Sequence, residues 1–433
     1  MTFWTPPPKD ATLRRWAAFT KVAAPTRANG HLVVHKVNGG NRSKDDSEGG
    51  VDVEFSNGMA PGATIDFWLM HSSVDPYDYN ALNMAGTTGP KAQGFNGWPL
   101  ESQITNSWGG CEDTIANQKA TQAVLESDST TGHDFFFWSG DEGSYCAAGR
   151  GKKDYPFPNY PASSAYVTSV GGTAFAGNIG SGKSPGSWPG ETAWVFNKKG
   201  NSGGVCDKSP CPEGSGGGFS HDYPRPVWQI GFNPRARRGY PDVSAIADPN
   251  TGVYACDDLA CPGPKGNNSF VTGGSSLSSP VWAGILADVN SMLAAQAAPV
   301  TGFVDPTLYS LDAKPQEFPP LHDIARGKNG AYRAGIGWDP VTGLGSPDGY
   351  NLARDWLGQT LAFWKLKSSI LNGTTFSWET LRKVQGYNLC DGVCTGTNQI
   401  NRSLITSTTP DFLFSTQHTF AGAPTLQPVY PAG

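Results

Sequence analysis

Short apolar runs that close in Gly, Ser or Asp alternate along the first part of the chain with segments of helical spacing. Residues 63–70, 102–108, 134–138 and 166–170 read as buried strands. Between the second and third, residues 114–127 place Ala116, Ala120, Ala123 and Val124 at helical spacing. Continuously apolar strands are covered on both faces, and strands joined by helices predict an α/β fold with a mainly parallel central sheet flanked by helices. In such sheets the chemistry collects at the carboxyl ends of the strands. Ser139-Gly140-Asp141-Glu142-Gly143 closes the third run at one such end. A long helix is predicted over 278–297, with Val281, Trp282, Ile285, Leu286, Val289, Met292 and Leu293 as its apolar face. Residues 176–236, rich in Gly, Ser and Pro, read as long loops, and beyond about residue 355 the sequence turns polar and ends in Pro-rich coil.

Composition narrows the partners. Charged residues make up 16% of the chain, and the net charge is −5. The basic clusters, Arg235 with Arg237 and Arg238, and Arg150 with Lys152 and Lys153, are too short to attract phosphate backbones, so no nucleic-acid partner is expected. No apolar run is long enough to predict a membrane-spanning helix. The first residues, Met-Thr-Phe-Trp-Thr-Pro-Pro-Pro, have neither the basic start nor the apolar run of a signal peptide. Eight cysteines nevertheless suggest an oxidising compartment. Cys206 with Cys211, Cys256 with Cys261, and Cys390 with Cys394 are close pairs, while Cys111 and Cys146 each follow a predicted strand and are placed to meet across a sheet edge. Zinc is not expected, because none of these pairs has the CxxC spacing usual in zinc sites. Glycosylation acceptors at Asn41, Asn267, Asn372 and Asn401 agree with secretion. The chain is therefore expected to begin part-way into a longer secreted precursor.

Three places carry candidate chemistry. Ser276 lies in Gly273-Gly274-Ser275-Ser276-Leu277-Ser278-Ser279-Pro280, directly before the long helix, with Pro280 expected in the first turn. A hydroxyl there meets unpaired N–H groups and the positive end of the helix dipole, the setting of a nucleophile and also of an ordinary Ser-rich cap. Glu48 and Asp52, four apart, share one helix face, as a base and its partner would or as a solvated charged face would. Asp141 sits in a turn after a strongly apolar strand, where it either bonds its own backbone or faces the site. Of the seven histidines, none has the context of a subtilisin-type base; His71 follows a strand but lacks it.

Taken together and in order, these motifs resemble the sedolisin family, the serine-carboxyl peptidases. Ala60-Pro61-Gly62-Ala63, Tyr160-Pro161-Ala162-Ser163-Ser164, Val170-Gly171-Gly172-Thr173, Ser215-Gly216-Gly217-Gly218 and Pro241-Asp242-Val243-Ser244 extend the match over roughly 48–352. The resemblance implies a subtilisin-like fold in which Ser276 is the nucleophile and Glu48 its base. It further implies that Asp52 orients Glu48, and that Asp141 forms the oxyanion hole with the N–H of Ser276. Two carboxylates about 4 Å apart repel by roughly 4 kcal/mol at an effective dielectric near 20, enough to keep one proton between them in mild acid. Activity on protein or peptide substrates is thus expected at acid pH, in an extracellular or acidic lumenal compartment. The alternatives are a neutral subtilisin-like peptidase or an inactive secreted homologue.

The family also implies one calcium ion in a loop near the end of the catalytic domain. It would be held by the side chains of Asp323 and Asp339 and the carbonyls of Ile324, Gly335 and Gly337, with a water completing the shell. Ser275 and Gly273 stand where the family usually has Thr and Ser. Residues 1–47 show no recognisable first strand, and are assigned as a truncated or divergent start to a peptidase domain at 48–355. Residues 356–433 form an extension of unknown role, and a monomer is expected.

Overall fold

The computed structural model describes residues 2–3, 32–36, 47–69, 103–112, 118–146, 156–175, 190–196, 205–206, 213–251, 253–256, 269–295, 300–313, 318–357, 388–390 and 399–401. The elements that build the core and position the site are, in chain order, β1 (Leu32–Lys36), α1 (Ser47–Met59), β2 (Ile65–Leu69), β3 (Gln103–Asn106), α2 (Gln118–Thr130), β4 (Asp134–Trp138), β5 (Thr168–Phe175), β6 (Glu191–Ala193), β7 (Gly218–Pro224), β8 (Arg237–Tyr240), β9 (Val243–Ile246), α3 (Ser275–Ala295) and α4 (Asp305–Asp312).

The central sheet runs β9–β5–β4–β3, and each neighbouring pair is parallel. β6 joins its side antiparallel to β5. The expected α/β class with a mainly parallel sheet is what forms, for the expected reason. Phe135, Phe136 and Phe137 of β4 are all fully buried, so this strand is covered on both faces. Phe136 joins Val170 and Val243 under Leu277, Trp282, Leu286 and Val289 of α3. The Trp282 indole N–H donates to the Ser244 carbonyl at 2.8 Å, tying the helix to β9.

Three sequence expectations shift. The stretch 176–236, expected as loops, contains β6 and β7. Residues 1–47, in which no strand was recognisable, contain β1, paired in parallel with β2. The long helix starts at Ser275 rather than 278. Pro280 therefore falls in the second turn, where its missing N–H deprives the Ser276 carbonyl of its usual helical donor.

α1 packs along α3. The crossing is close because residue 284 is glycine: a Cβ there would meet the Met59 Cβ at 2.6 Å and the Ser56 carbonyl at 2.7 Å. Ser56 also donates to the Pro280 carbonyl at 3.4 Å.

Candidate active site

α1 carries the acidic pair to the site. Asp52 is fully buried and Glu48, one turn earlier, is half-buried. The Ser107 hydroxyl, just past the carboxyl end of β3, lies 2.8 Å from Asp52 Oδ1 and 3.2 Å from the Ser276 carbonyl. Ser56 stands beside Pro280, and Asp52 reaches Ser276 through Ser107. The two helices thus advance in the same sense, and Glu48 lies toward the N-terminal end of α3. Burial, and then the charge of Glu48, push the Asp52 carboxyl well above the usual carboxylate range; its Ser107 bond opposes them.

Asp141 arrives from the carboxyl end of β4. Its Oδ1 accepts the Ser275 N–H at 2.8 Å and faces the Ser275 hydroxyl at 2.7 Å. The same hydroxyl accepts the Gly140 N–H at 3.2 Å. Two glycines let these turns meet. Gly274 has φ +94°, and a Cβ on it would come within 2.9 Å of Asp141 Oδ2. Gly140 has φ +106°, and a Cβ there would collide with the Asn159 side chain. Burial raises the Asp141 carboxyl above its ordinary value, against the pull of its two Ser275 bonds. Glu142 and Glu213 are raised as well, first by burial and then by the charge of Asp141.

Asp52 and Asp141 therefore reach the same helix end, through Ser107 and Ser275, two joining residues that the sequence does not single out. From sequence, Ser107 belongs to the strand at 102–108, and Ser275 only stands where the family usually has Thr. A proline four residues after Ser276 signals a carbonyl in need of another donor, but nothing in the sequence says that Ser107 supplies it. The described histidines lie elsewhere. His35 pairs with Asp66 at 2.6 Å, His133 precedes β4 at the opposite end of that strand, His221 packs edge-on against Phe157, and His322 belongs to the Asp323 loop. His71 is outside the described residues.

At the expected metal loop, Gly337 N–H donates to Asp323 Oδ2 at 2.9 Å and Gly335 N–H to Asp339 Oδ2 at 3.0 Å. The Ile324 carbonyl accepts the Thr342 hydroxyl at 3.2 Å. Among the described residues no cluster of three His, Cys, Asp or Glu side chains suits a metal. Cys111 and Cys146 form the expected disulfide, with Cα atoms 5.4 Å apart. The side chains of the other six cysteines lie outside the description, as do Asn41, Asn267 and Asn372.

With this geometry in place, the relatives are informative. Kumamolisin from Bacillus sp. (strain MN-32) is 33% identical over 333 residues, covering 73% of this chain and 51% of that protein. Human tripeptidyl-peptidase 1 is 27% identical over 341 residues, covering 71% and 51%. The solved structure of Pseudomonas sedolisin, a serine-carboxyl proteinase complexed with two molecules of pseudo-iodotyrostatin, superposes with a TM-score of 0.65 at 25% identity. It covers 82% of this chain and 90% of that one. Over 71–73% of its length the chain is thus similar to peptidases of the sedolisin family. Its α/β architecture is accordingly the subtilisin-like sedolisin fold. No family model matches the chain. The chain spans about half the length of the curated sedolisin-family relatives it matches. No helix among the described residues is long and apolar enough to cross a membrane.

Proposed function

We propose that this chain is the peptidase part of an acid-acting serine-carboxyl peptidase that hydrolyses peptide bonds in protein or peptide substrates. The observation that carries this reading is the convergence on the first turn of α3: Asp52 through Ser107 from one side, Asp141 through Ser275 from the other. Ser276 Oγ attacks the scissile carbonyl carbon while Glu48 takes its proton. Protonated Asp141 and the Ser276 N–H hold the oxyanion. As the C–N bond breaks, Glu48 returns the proton to the leaving amine, and an ester to Ser276 remains. Water then attacks the ester, giving a proton to Glu48, which restores it to Ser276. Asp52 orients Glu48 and shares its proton.

The pH dependence follows from the directions of the shifts. Asp141 and Asp52 hold their protons above the ordinary carboxylate range, so the working protonation state persists in mild acid and is lost toward neutrality. A pH profile of kcat/KM on a peptide substrate tests this. The parent is expected to peak in acid, and Glu48→Gln to lose the activity across the range. A peak above neutral that survives Glu48→Gln would overturn the assignment.

For calcium, the donor set fits a hard cation. Asp323 and Asp339 face one short loop; Asp323 accepts the Gly337 N–H, whereas Asp339 accepts the N–H groups of Gly335, Val341 and Thr342 and the Thr342 hydroxyl, bonds it would have to share with an ion, and burial raises Asp339 to about 6. These two side chains, with the carbonyls of Ile324, Gly335 and Gly337, would hold one ion that braces the loop. A strong calcium chelator is expected to lower the melting temperature, and an unchanged value would count against the ion. The Cys111–Cys146 disulfide supports an extracellular or acidic lumenal location. A peptidase domain over 48–355, acting as a monomer, completes the proposal.

A further inference from the structure

We propose that Ser107 is a positioning residue that couples the proton on Asp52 to the backbone of the nucleophile Ser276. The inference rests on the functional reading above and extends it to a residue that the reading uses only as a structural link.

Pro280 has no N–H, so the Ser276 carbonyl cannot take the bond that the fourth residue onward supplies in a regular helix. Ser107 stands in for that donor at 3.2 Å. Its hydroxyl is also 2.8 Å from Asp52 Oδ1, yet it has a single proton and two lone pairs. Two arrangements result. When Asp52 carries a proton, Asp52 donates to Ser107 and Ser107 donates to the Ser276 carbonyl, so the chain is satisfied from α1 to α3. When Asp52 is ionised, Ser107 turns its proton to the carboxylate, because a charge-assisted bond is the stronger one. The Ser276 carbonyl then loses its donor. The first turn of α3 is braced in acid and released as Asp52 ionises.

The surroundings suit a device of this kind. Ser107 is 4% exposed, which keeps competing water away. The turn it occupies is held independently of its side chain, since the Trp108 N–H donates to Asn106 Oδ1 at 2.8 Å. On α1, Glu48 is the titratable group whose charge acts on Asp52. From β4, Asp141 reaches the same helix end through Ser275.

The test is the pH profile of kcat and KM for the full-length enzyme on a peptide substrate, comparing the parent with Ser107→Ala, Ser107→Cys and Ser107→Thr, and with Ser276→Ala as a control. Ser107→Ala is expected to lower kcat by about tenfold or more with KM little changed, the mark of lost positioning. It is also expected to move the neutral-side limb to higher pH, because the ionised Asp52 loses a donor. Ser107→Cys, nearly isosteric and a poor donor, is expected to do the same, and it serves if the alanine variant does not fold. Ser107→Thr keeps the hydroxyl and is expected to restore both readouts. A Ser107→Ala or Ser107→Cys enzyme whose limb stays at the parent's pH, even if uniformly slower, would overturn the proposal while leaving the peptidase reading intact. A Ser276→Ala control as active as the parent would sink the site reading itself, and this inference with it.

Discussion

At Asp141 one carboxyl has two tasks that pull its protonation in opposite directions. Oδ1 accepts from the N–H and hydroxyl of Ser275, which favours the charged form, while burial favours the neutral form and prevails. The neutral form is the one that can donate to an oxyanion, and Gly274 leaves the space for Oδ2 that any side chain would fill. Asp141→Ala is therefore predicted to lower kcat at acid pH by about a hundred- to a thousandfold. It also leaves the Ser275 N–H without its acceptor, while the Ser275 hydroxyl keeps the Gly140 carbonyl at 3.0 Å, at a cost of about 1–3 kcal/mol, seen as an earlier urea midpoint. A rate within a few-fold of the parent at acid pH would show that Asp141 does not stabilise the transition state.

Among the elements, those with a strong local pattern were the legible ones. Residues 134–138 form β4 as expected, because three consecutive buried phenylalanines admit little else. β1 goes unread although its Leu-Val-Val run before Asn38-Gly39-Gly40 favours a strand; only its parallel pairing with β2 is a tertiary fact that the sequence does not show. The start of α3 was misplaced because Pro280 reads as a first-turn proline. The turn begins earlier, at Ser275, where Asp141 accepts the backbone N–H that a cap would otherwise satisfy. In the proposed site, motif and spacing are what point to Glu48, Asp52, Asp141 and Ser276. Ser107 and Ser275 were not legible, since each acts by joining segments that lie far apart in the chain: Ser107 to Asp52, and Ser275 to Asp141. The close approach of α1 to α3 at Gly284 was equally invisible, because a glycine in a helix does not announce what crosses it.

For the whole molecule, the pattern of buried charge favours acid. The fully buried Arg238 forms a two-point pair with Asp242, at 2.7 and 2.5 Å. Asp134 and Asp305, also fully buried, share the single Thr168 hydroxyl, and burial pushes both well above the usual carboxylate range. Burial raises Asp128 to about 7 and Asp312 to about 6. Asp128, Asp134, Asp305 and Asp312 each bind their proton more tightly in the fold than in the unfolded chain. Their contribution to stability is therefore fully present below the unfolded value near about 4 and is lost as the pH rises through the folded values. Calorimetry is predicted to show a melting temperature that falls from mild acid to just above pH 7, and one that rises over that window would contradict this balance. The central claim, that Ser276 is the nucleophile of an acid-acting peptidase, is tested most directly by assaying Ser276→Ala beside the parent on denatured protein at acid pH. The parent is predicted to release peptides and the variant none above background; equal release by the two would contradict the account.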